Sequence, residues 1–337
     1  MKSTSETILK ACHLRKCFTL TSPSSQGASL TAVDDVSLEL SAGESLGIAG
    51  ESGCGKSTLA KILAGLLPPD RGDVFYRGTK LASLSAEERV LFRRTTQMIF
   101  QDPFSSLNPR MRIGDSIGEP LALTGISKDE QRVAVAKIME TVGLNPLLAA
   151  RFPDEFSGGQ RQRIGIARAL AASPRILIAD EPVSSLDISI QAQIINLLME
   201  MKTGFDLSLI MVSHNLSVLR HMCDRIVIMY LGIIVECAPA DELFRQCRHP
   251  YTQALLAAIP RIETDPRAHS SLLTDDLPSP LAIPTGCRFH PRCRYAQEIC
   301  SRDIPPLNEW SNGHVSACHF AAEIFPDRVG NNLWKAP

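Results

Sequence analysis

The stretch Gly50-Glu51-Ser52-Gly53-Cys54-Gly55-Lys56-Ser57-Thr58 constrains this chain more than any other. It follows a short apolar run, residues 45–49, that reads as a buried strand. It precedes Leu59-Ala60-Lys61-Ile62-Leu63-Ala64, which reads as the first turns of a helix. Strand, glycine-rich turn, Lys-Ser/Thr and helix is the arrangement of a phosphate-binding P-loop. Glycines let consecutive backbone N–H groups face one anion, and the helix adds its positive N-terminal end. Lys56 can then reach the β- and γ-phosphates of a nucleoside triphosphate, and the Ser57 hydroxyl can ligate Mg²⁺. A chance glycine-rich turn would rarely meet the full spacing with both flanks correct.

Three later strand ends supply groups that such a site needs. The apolar run Gln97-Met98-Ile99-Phe100 ends on Gln101, a neutral group able to touch a metal ion or a water. Arg175-Ile176-Leu177-Ile178-Ala179-Asp180-Glu181 suits a central strand of a parallel sheet covered on both faces. Asp180 at its tip is placed to hold Mg²⁺, and Glu181 to polarise an attacking water. Leu207 to Ser213 is a further buried strand, capped by His214, a hydrogen-bond donor to charge developing on a γ-phosphate. Singly, each has an ordinary structural reading. Behind a P-loop in one chain, they converge.

Upstream, residues 7–45 alternate apolar and polar in short runs, as in Ala32 to Leu40, the period-two pattern of half-exposed strands, with Thr21 to Ser29 as a loop between them. Phe18 lies in this region, where an aromatic face can either stack on a nucleobase or join a core. From about Phe104 to Leu148 the pattern turns helical. Val133, Lys137, Ile138, Thr141 and Val142 lie on neighbouring turns of one amphipathic helix, closed by Gly143 and Pro146. Ser157-Gly158-Gly159-Gln160 then opens the helix Ile164 to Ala171: Ser157 suits an N-cap, and the glycines bare the helix end for a phosphate. Ser185-Leu186-Asp187 precedes a helix from Ile190 to Lys202, and Leu231-Gly232 joins two strands as a hairpin.

Composition sets the surroundings. At 337 residues there is room for one large α/β domain and an appendage. Lys+Arg (35) nearly cancel Asp+Glu (36), so no global field draws the chain to nucleic acid, and no nucleic-acid partner is expected. Met1 to Lys10 is polar without a secretory apolar stretch, and the longest apolar run, Ile226 to Val235, is about half the ~20 residues that span a bilayer. The ten cysteines include four near the C-terminus, Cys287, Cys293, Cys300 and Cys318. With no export signal, a metal or cluster site is a better use for these four than disulfides.

The order P-loop, Gln101, Ser157-Gly158-Gly159-Gln160, Asp180-Glu181, Ser185-Leu186-Asp187, His214 resembles the nucleotide-binding subunit of an ATP-binding-cassette (ABC) transporter over about residues 7–240. The resemblance implies an α/β fold. A P-loop NTPase (RecA-like) core would carry an N-terminal antiparallel β subdomain, an inserted helical subdomain at about 103–170, and a small Cys-containing extension over 241–337. It implies an ATPase using ATP and Mg²⁺, with Ser57, Gln101 and Asp180 at the metal and Gln101 as a sensor coupled to membrane subunits. Glu181 would be the general base, His214 the switch histidine and Asp187 the dimer-bridging residue. Ser157, Gly158, Gly159 and Gln160 would contact ATP held by an opposite subunit, with Phe18 at the base-stacking position. Phe156, Val183, Ser184 and Asn215 depart from the commoner residues of the pattern without removing a catalytic group.

Beyond Asp241, His249-Pro250-Tyr251, Leu277-Pro278-Ser279-Pro280 and the cysteine-containing tail resemble the C-terminal region of oligopeptide/dipeptide (and nickel) importer ATPases. That implies peptide import with a second, different ATPase chain, two membrane permeases and an external solute-binding protein, at the cytoplasmic face of the membrane. The gaps between the four cysteines are wider than the close pairs of structural zinc. They favour a [4Fe–4S] cluster, with zinc or free thiols as alternatives. A soluble ABC ATPase acting on nucleic acid or ribosomes is the rival reading. A P-loop kinase is a third, which would need no Ser-Gly-Gly-Gln turn.

Overall fold

A computed structural model of the chain describes residues 6–20, 27, 29–102, 106–122, 125–184, 186–259, 279, 281–311 and 313–326. The period-two stretches form β1 (Thr7–Thr19) and β2 (Ser29–Ser41), an antiparallel pair with one face turned to the core. The chain then enters the interior as β3 (Ser45–Ala49), passes through the glycine-rich loop, and starts α1 (Lys56–Leu63). β4 (Arg71–Tyr76) and β5 (Thr79–Lys80) return to the first sheet, giving the order β2-β1-β4-β5. α2 (Ala86–Thr95) leads into β6 (Thr96–Ile99).

A helical unit follows: α3 (Ile113–Ala122), α4 (Lys128–Thr141) and α5 (Gly158–Ala171), packed on one another. The expected amphipathic helix is α4, and Ile138 and Val142 of the expected stripe lie on its buried side, but Val133 does not. Val135, Met139 and the following Val142 face the core, spaced i, i+4, i+7, while Val133 is 71% exposed. A lone exposed valine is ordinary, and Val133 falls outside the stripe.

The chain then alternates strand and helix: β7 (Ile176–Asp180), α6 (Ile188–Gly204), β8 (Ser208–Val212), α7 (Leu216–Met222), β9 (Arg225–Tyr230) and β10 (Ile233–Pro239). β3, β6, β7, β8 and β9 are parallel, and every residue of β3, β7 and β8 is buried, because apolar clusters cover both faces. β9 and β10 form the expected hairpin. Leu231 (φ 42°) and Gly232 (φ 85°) are both left-handed, the twist-matched turn for a two-residue connection.

The C-terminal residues comprise α8 (Ala240–Arg245), α9 (Pro250–Ala257), α10 (Glu298–Arg302), β11 (Asn308–Ser311), β12 (His314–Ser316) and α11 (Ala321–Ile324). β12 pairs with β10, so the extension lengthens the central sheet to the order β11-β12-β10-β9-β3-β8-β7-β6. Buried Glu236 on β10 accepts from the Arg248 backbone N–H at 2.5 Å and lies 2.8 Å from His314 Nε2. Leu277, Pro278 and Pro280 of the Leu-Pro-Ser-Pro segment lie outside the described residues.

Candidate active site

Parallel strands leave their functional groups at their carboxyl ends. Here the neighbouring strands β3, β8, β7 and β6 end respectively on the glycine-rich loop, His214, Asp180-Glu181 and Gln101. Four segments far apart in sequence thereby share one sheet edge.

The loop is shaped by what presses on it. Gly50 (φ 150°) lies under the Met229 carbonyl and Gly55 (φ 106°) under that of Ala32; a Cβ would come within 2.2 and 1.9 Å of these oxygens. Lys56 is buried and donates from Nζ to the Gly50 and Glu51 carbonyls at 2.8 and 2.9 Å. No side chain caps α1, whereas α2, α4 and α5 each begin with a serine capping box. An uncapped helix start behind a glycine-rich turn, with a buried ammonium beside it, fits a phosphate. Ser57 Oγ donates to Asp180 Oδ1 at 3.0 Å, placing two oxygen donors for a hard cation together. Burial pushes the Asp180 carboxyl up, with the Glu181 charge adding and the Ser57 hydrogen bond opposing.

Glu181 Oε2 is where three of the expected residues meet. It accepts from Gln101 Nε2 at 3.2 Å and lies 3.4 Å from His214 Nδ1. The Glu181 side chain is 13% exposed and that of His214 58%, so the carboxylate faces inward while the imidazole reaches solvent. Glu181 has φ 45°, a left-handed backbone that costs a non-glycine residue roughly 1–2 kcal/mol. Its N–H donates to the Val212 carbonyl at 3.0 Å, which ties the strained position to β8.

The Ser157 turn is a reciprocal capping box. The Ser157 N–H donates to Gln160 Oε1 at 3.0 Å and the Gln160 N–H to Ser157 Oγ at 3.4 Å. Gly159 packs on α6, where a Cβ would meet Ile190 Cγ2 at 2.6 Å. Asp187 is the N-cap residue of α6 but makes no capping bond through its carboxylate. The side chains of Ser157 and Gln160 are thus both engaged within the turn itself. Ser185 lies outside the described residues. Phe18 is 37% exposed at the far end of β1, with the Lys16 ammonium 5.8 Å from its ring centroid.

The extension touches the site through residues to which sequence reasoning gave no role. The Glu51 N–H donates to the Tyr251 hydroxyl at 2.8 Å, and the Arg292 guanidinium forks onto the Glu51 carboxylate at 2.7 and 3.0 Å. Tyr230 packs edge to face on both Tyr251 and Phe289, whose own rings are tilted to each other at 53°. His249 starts α9, accepting the Tyr251 N–H on Nδ1 at 3.0 Å; burial pushes its imidazole down to about 3, so it remains the neutral acceptor the cap needs. The His-Pro-Tyr segment was legible as a marker, but partners two hundred residues away leave no local pattern.

The four C-terminal cysteines, spread from Cys287 to Cys318, line one cavity of about 20 Å³. None of the ten cysteines forms a disulfide. Burial pushes the Cys287 thiol up to about 11 and that of Cys318 to about 12, each raised further by neighbouring cysteines. Among the described residues, no three His, Cys, Asp or Glu side chains are disposed to hold a single metal ion.

With this geometry in hand, the likenesses to known proteins are specific. A family model described as "ABC transporter" matches residues 33–184, and one described as "Oligopeptide/dipeptide transporter, C-terminal region" matches 235–300. The di/tripeptide transport ATP-binding protein DppF of Pseudomonas aeruginosa is 45% identical over 95% of this chain and 99% of its own. The oligopeptide transport ATP-binding protein AppF of Bacillus subtilis is 46% identical over 93% and 97%. Among solved structures, a dimeric post-hydrolysis state of the ATP-binding cassette MJ0796 with ADP and Pi has a TM-score of 0.62 at 28% identity, covering 69% of this chain and 99% of that one. The cassette cbiO1 of Clostridium perfringens, part of the transporter complex cbiONQ, has a TM-score of 0.60 at 26% identity, covering 71% and 91%.

Proposed function

The chain belongs to the ATP-binding subunits of ABC transporters, in the oligopeptide/dipeptide group, and on that premise we propose that it hydrolyses ATP to drive peptide import. The observation that carries the reading is the meeting of Gln101 and His214 on Glu181 Oε2, beside a P-loop whose lysine is buried in place. The loop N–H groups and Lys56 bind the phosphates. Glu181 takes a proton from the attacking water, Gln101 orients that carboxylate, and His214 donates to the oxygen on which charge builds. Ser57, Asp180 and Gln101 are the residues that would hold Mg²⁺, whose charge would neutralise that of the phosphates. Phe18 stacks on the base.

Residues Ser157 to Gln160 and Asp187 serve a second cassette. On this reading the nucleotide site is completed across an interface, and ATP joins two subunits that part after hydrolysis; the dimeric state of a similar cassette supports it. The second cassette is a different chain, joined to two permeases and fed by an external solute-binding protein, on the cytoplasmic face of the membrane. Among the described residues no helix is long and apolar enough to cross a bilayer, which supports peripheral attachment. We divide the chain into a cassette over 1–240, with its helical subdomain at about 103–170, and an extension over 241–337. ATPase activity in the reconstituted transporter is expected to rise several-fold with peptide-loaded binding protein; stimulation by ribosomes or DNA instead would assign the chain to the rival class.

We also assign a [4Fe–4S] cluster to Cys287, Cys293, Cys300 and Cys318. Four soft sulfur donors around one cavity are the observation that supports it. Its role is structural. Protein purified without oxygen is expected to be coloured and to contain iron and acid-labile sulfide in equal amounts; colourless protein carrying one zinc would reverse the assignment.

A further inference from the structure

Glu51 places a carboxylate in a phosphate-binding loop, where its charge, left unpaired, would repel the polyphosphate the loop must hold. The structure pins it at three points. Its N–H donates to the Tyr251 hydroxyl at 2.8 Å, its carbonyl accepts from Lys56 Nζ at 2.9 Å, and its carboxylate takes the bidentate Arg292 fork. The Arg292 side chain is 4% exposed and that of Glu51 25%, so the ion pair is shielded from solvent and its geometry is defined.

Arg292 is itself fixed. It ends a tight turn, His290 to Arg292, that runs straight into Cys293. The His290 N–H bonds to the Cys287 carbonyl at 3.0 Å, the Arg292 N–H to the Phe289 carbonyl at 3.0 Å, and the Cys293 N–H to the His290 carbonyl at 3.2 Å. The cysteine-lined module therefore presents Arg292 to the loop from a braced turn. The loop itself is rich in glycine and has little preference of its own.

From this geometry we propose that Arg292 and Tyr251 are positioning residues for ATP binding. They neutralise and orient Glu51 so that the loop holds Lys56 and its backbone donors ready for the phosphates. The C-terminal extension is on this account one wall of the nucleotide site. The proposal rests on the ATP site described above, and the measurements separate the two: wild-type binding of ATP tests the site, and the variants test the clamp.

The experiment titrates the full-length protein with Mg-ATP. Arg292→Ala is expected to weaken binding about tenfold, through the unneutralised carboxylate and the freed loop. Arg292→Lys, which keeps charge but loses the fork, falls between. Arg292→Ala combined with Glu51→Gln recovers most of the loss, which a merely structural arginine would not allow. Arg294→Ala, close by in the chain and bonded toward Gln253 and Tyr295, binds as wild type. Wild-type affinity in Arg292→Ala, or a double variant as weak as the single one, overturns the proposal. Should Arg292→Ala fail to fold, Tyr251→Phe decides: a loss of about threefold or more supports the clamp, and unchanged affinity removes it.

Discussion

Glu181→Gln is expected to keep ATP bound and to lower turnover by about 10²–10⁴-fold, the range of a lost general base. The amide is nearly the same shape, and its single oxygen can occupy the place of Oε2, accepting from Gln101 Nε2 and remaining near His214 Nδ1. What it cannot do is take a proton. The left-handed backbone is the same in both proteins, so stability should change by less than about 0.5 kcal/mol. Single-turnover hydrolysis in the assembled transporter, with size analysis of the ATP-bound subunits, reads both consequences: a persistent closed dimer and a lost chemical step. Undiminished hydrolysis would take the base role away from Glu181.

Ser157→Arg carries the second large effect. Within its own chain the serine only closes a capping box, worth about 1 kcal/mol, and Ser157→Asn should retain that cap. If the turn also meets ATP held by the other cassette, an arginine there fills the space of the nucleotide. The ATPase rate of the complex should then fall by about 10²-fold or more, the scale of losing a donor to developing charge. Equilibrium binding of ATP to the isolated subunit should not move, because the cap bonds of Ser157 and Gln160 stay within the turn. A rate unaffected by Ser157→Arg, in protein shown to be monomeric during turnover, would dispose of the shared site.

The parts legible in the sequence are those whose chemistry is local. A P-loop, a strand ending in Asp-Glu, a serine-glycine helix start and a Leu-Gly hairpin each carry their geometry within a few residues, and each stands where its pattern implied. The burial of α4 was harder, because an exposed Val133 looks the same in sequence as a buried one, and only packing against α3 and α5 separates them. The cysteines were legible as a group but not as a cavity. The Arg292–Glu51 pair, 241 positions apart, was not legible at all, since nothing beside either residue refers to the other. Tyr251 lay in a recognised segment, yet its hydroxyl faces a loop that folds from the opposite end of the chain.

The attachment of β12 to β10 changes what counts as a unit of this protein. Cutting after Pro239, at the end of β10 and of the cassette, leaves that strand with an open row of peptide groups on one side. It also strips the interior carboxyl of Glu236 of both its neighbours, His314 and the Arg248 amide. The end of the cassette is therefore not an edge of the sheet: the tail is a covalent continuation of the cassette's own hydrophobic scaffold, inherited with it rather than appended to it.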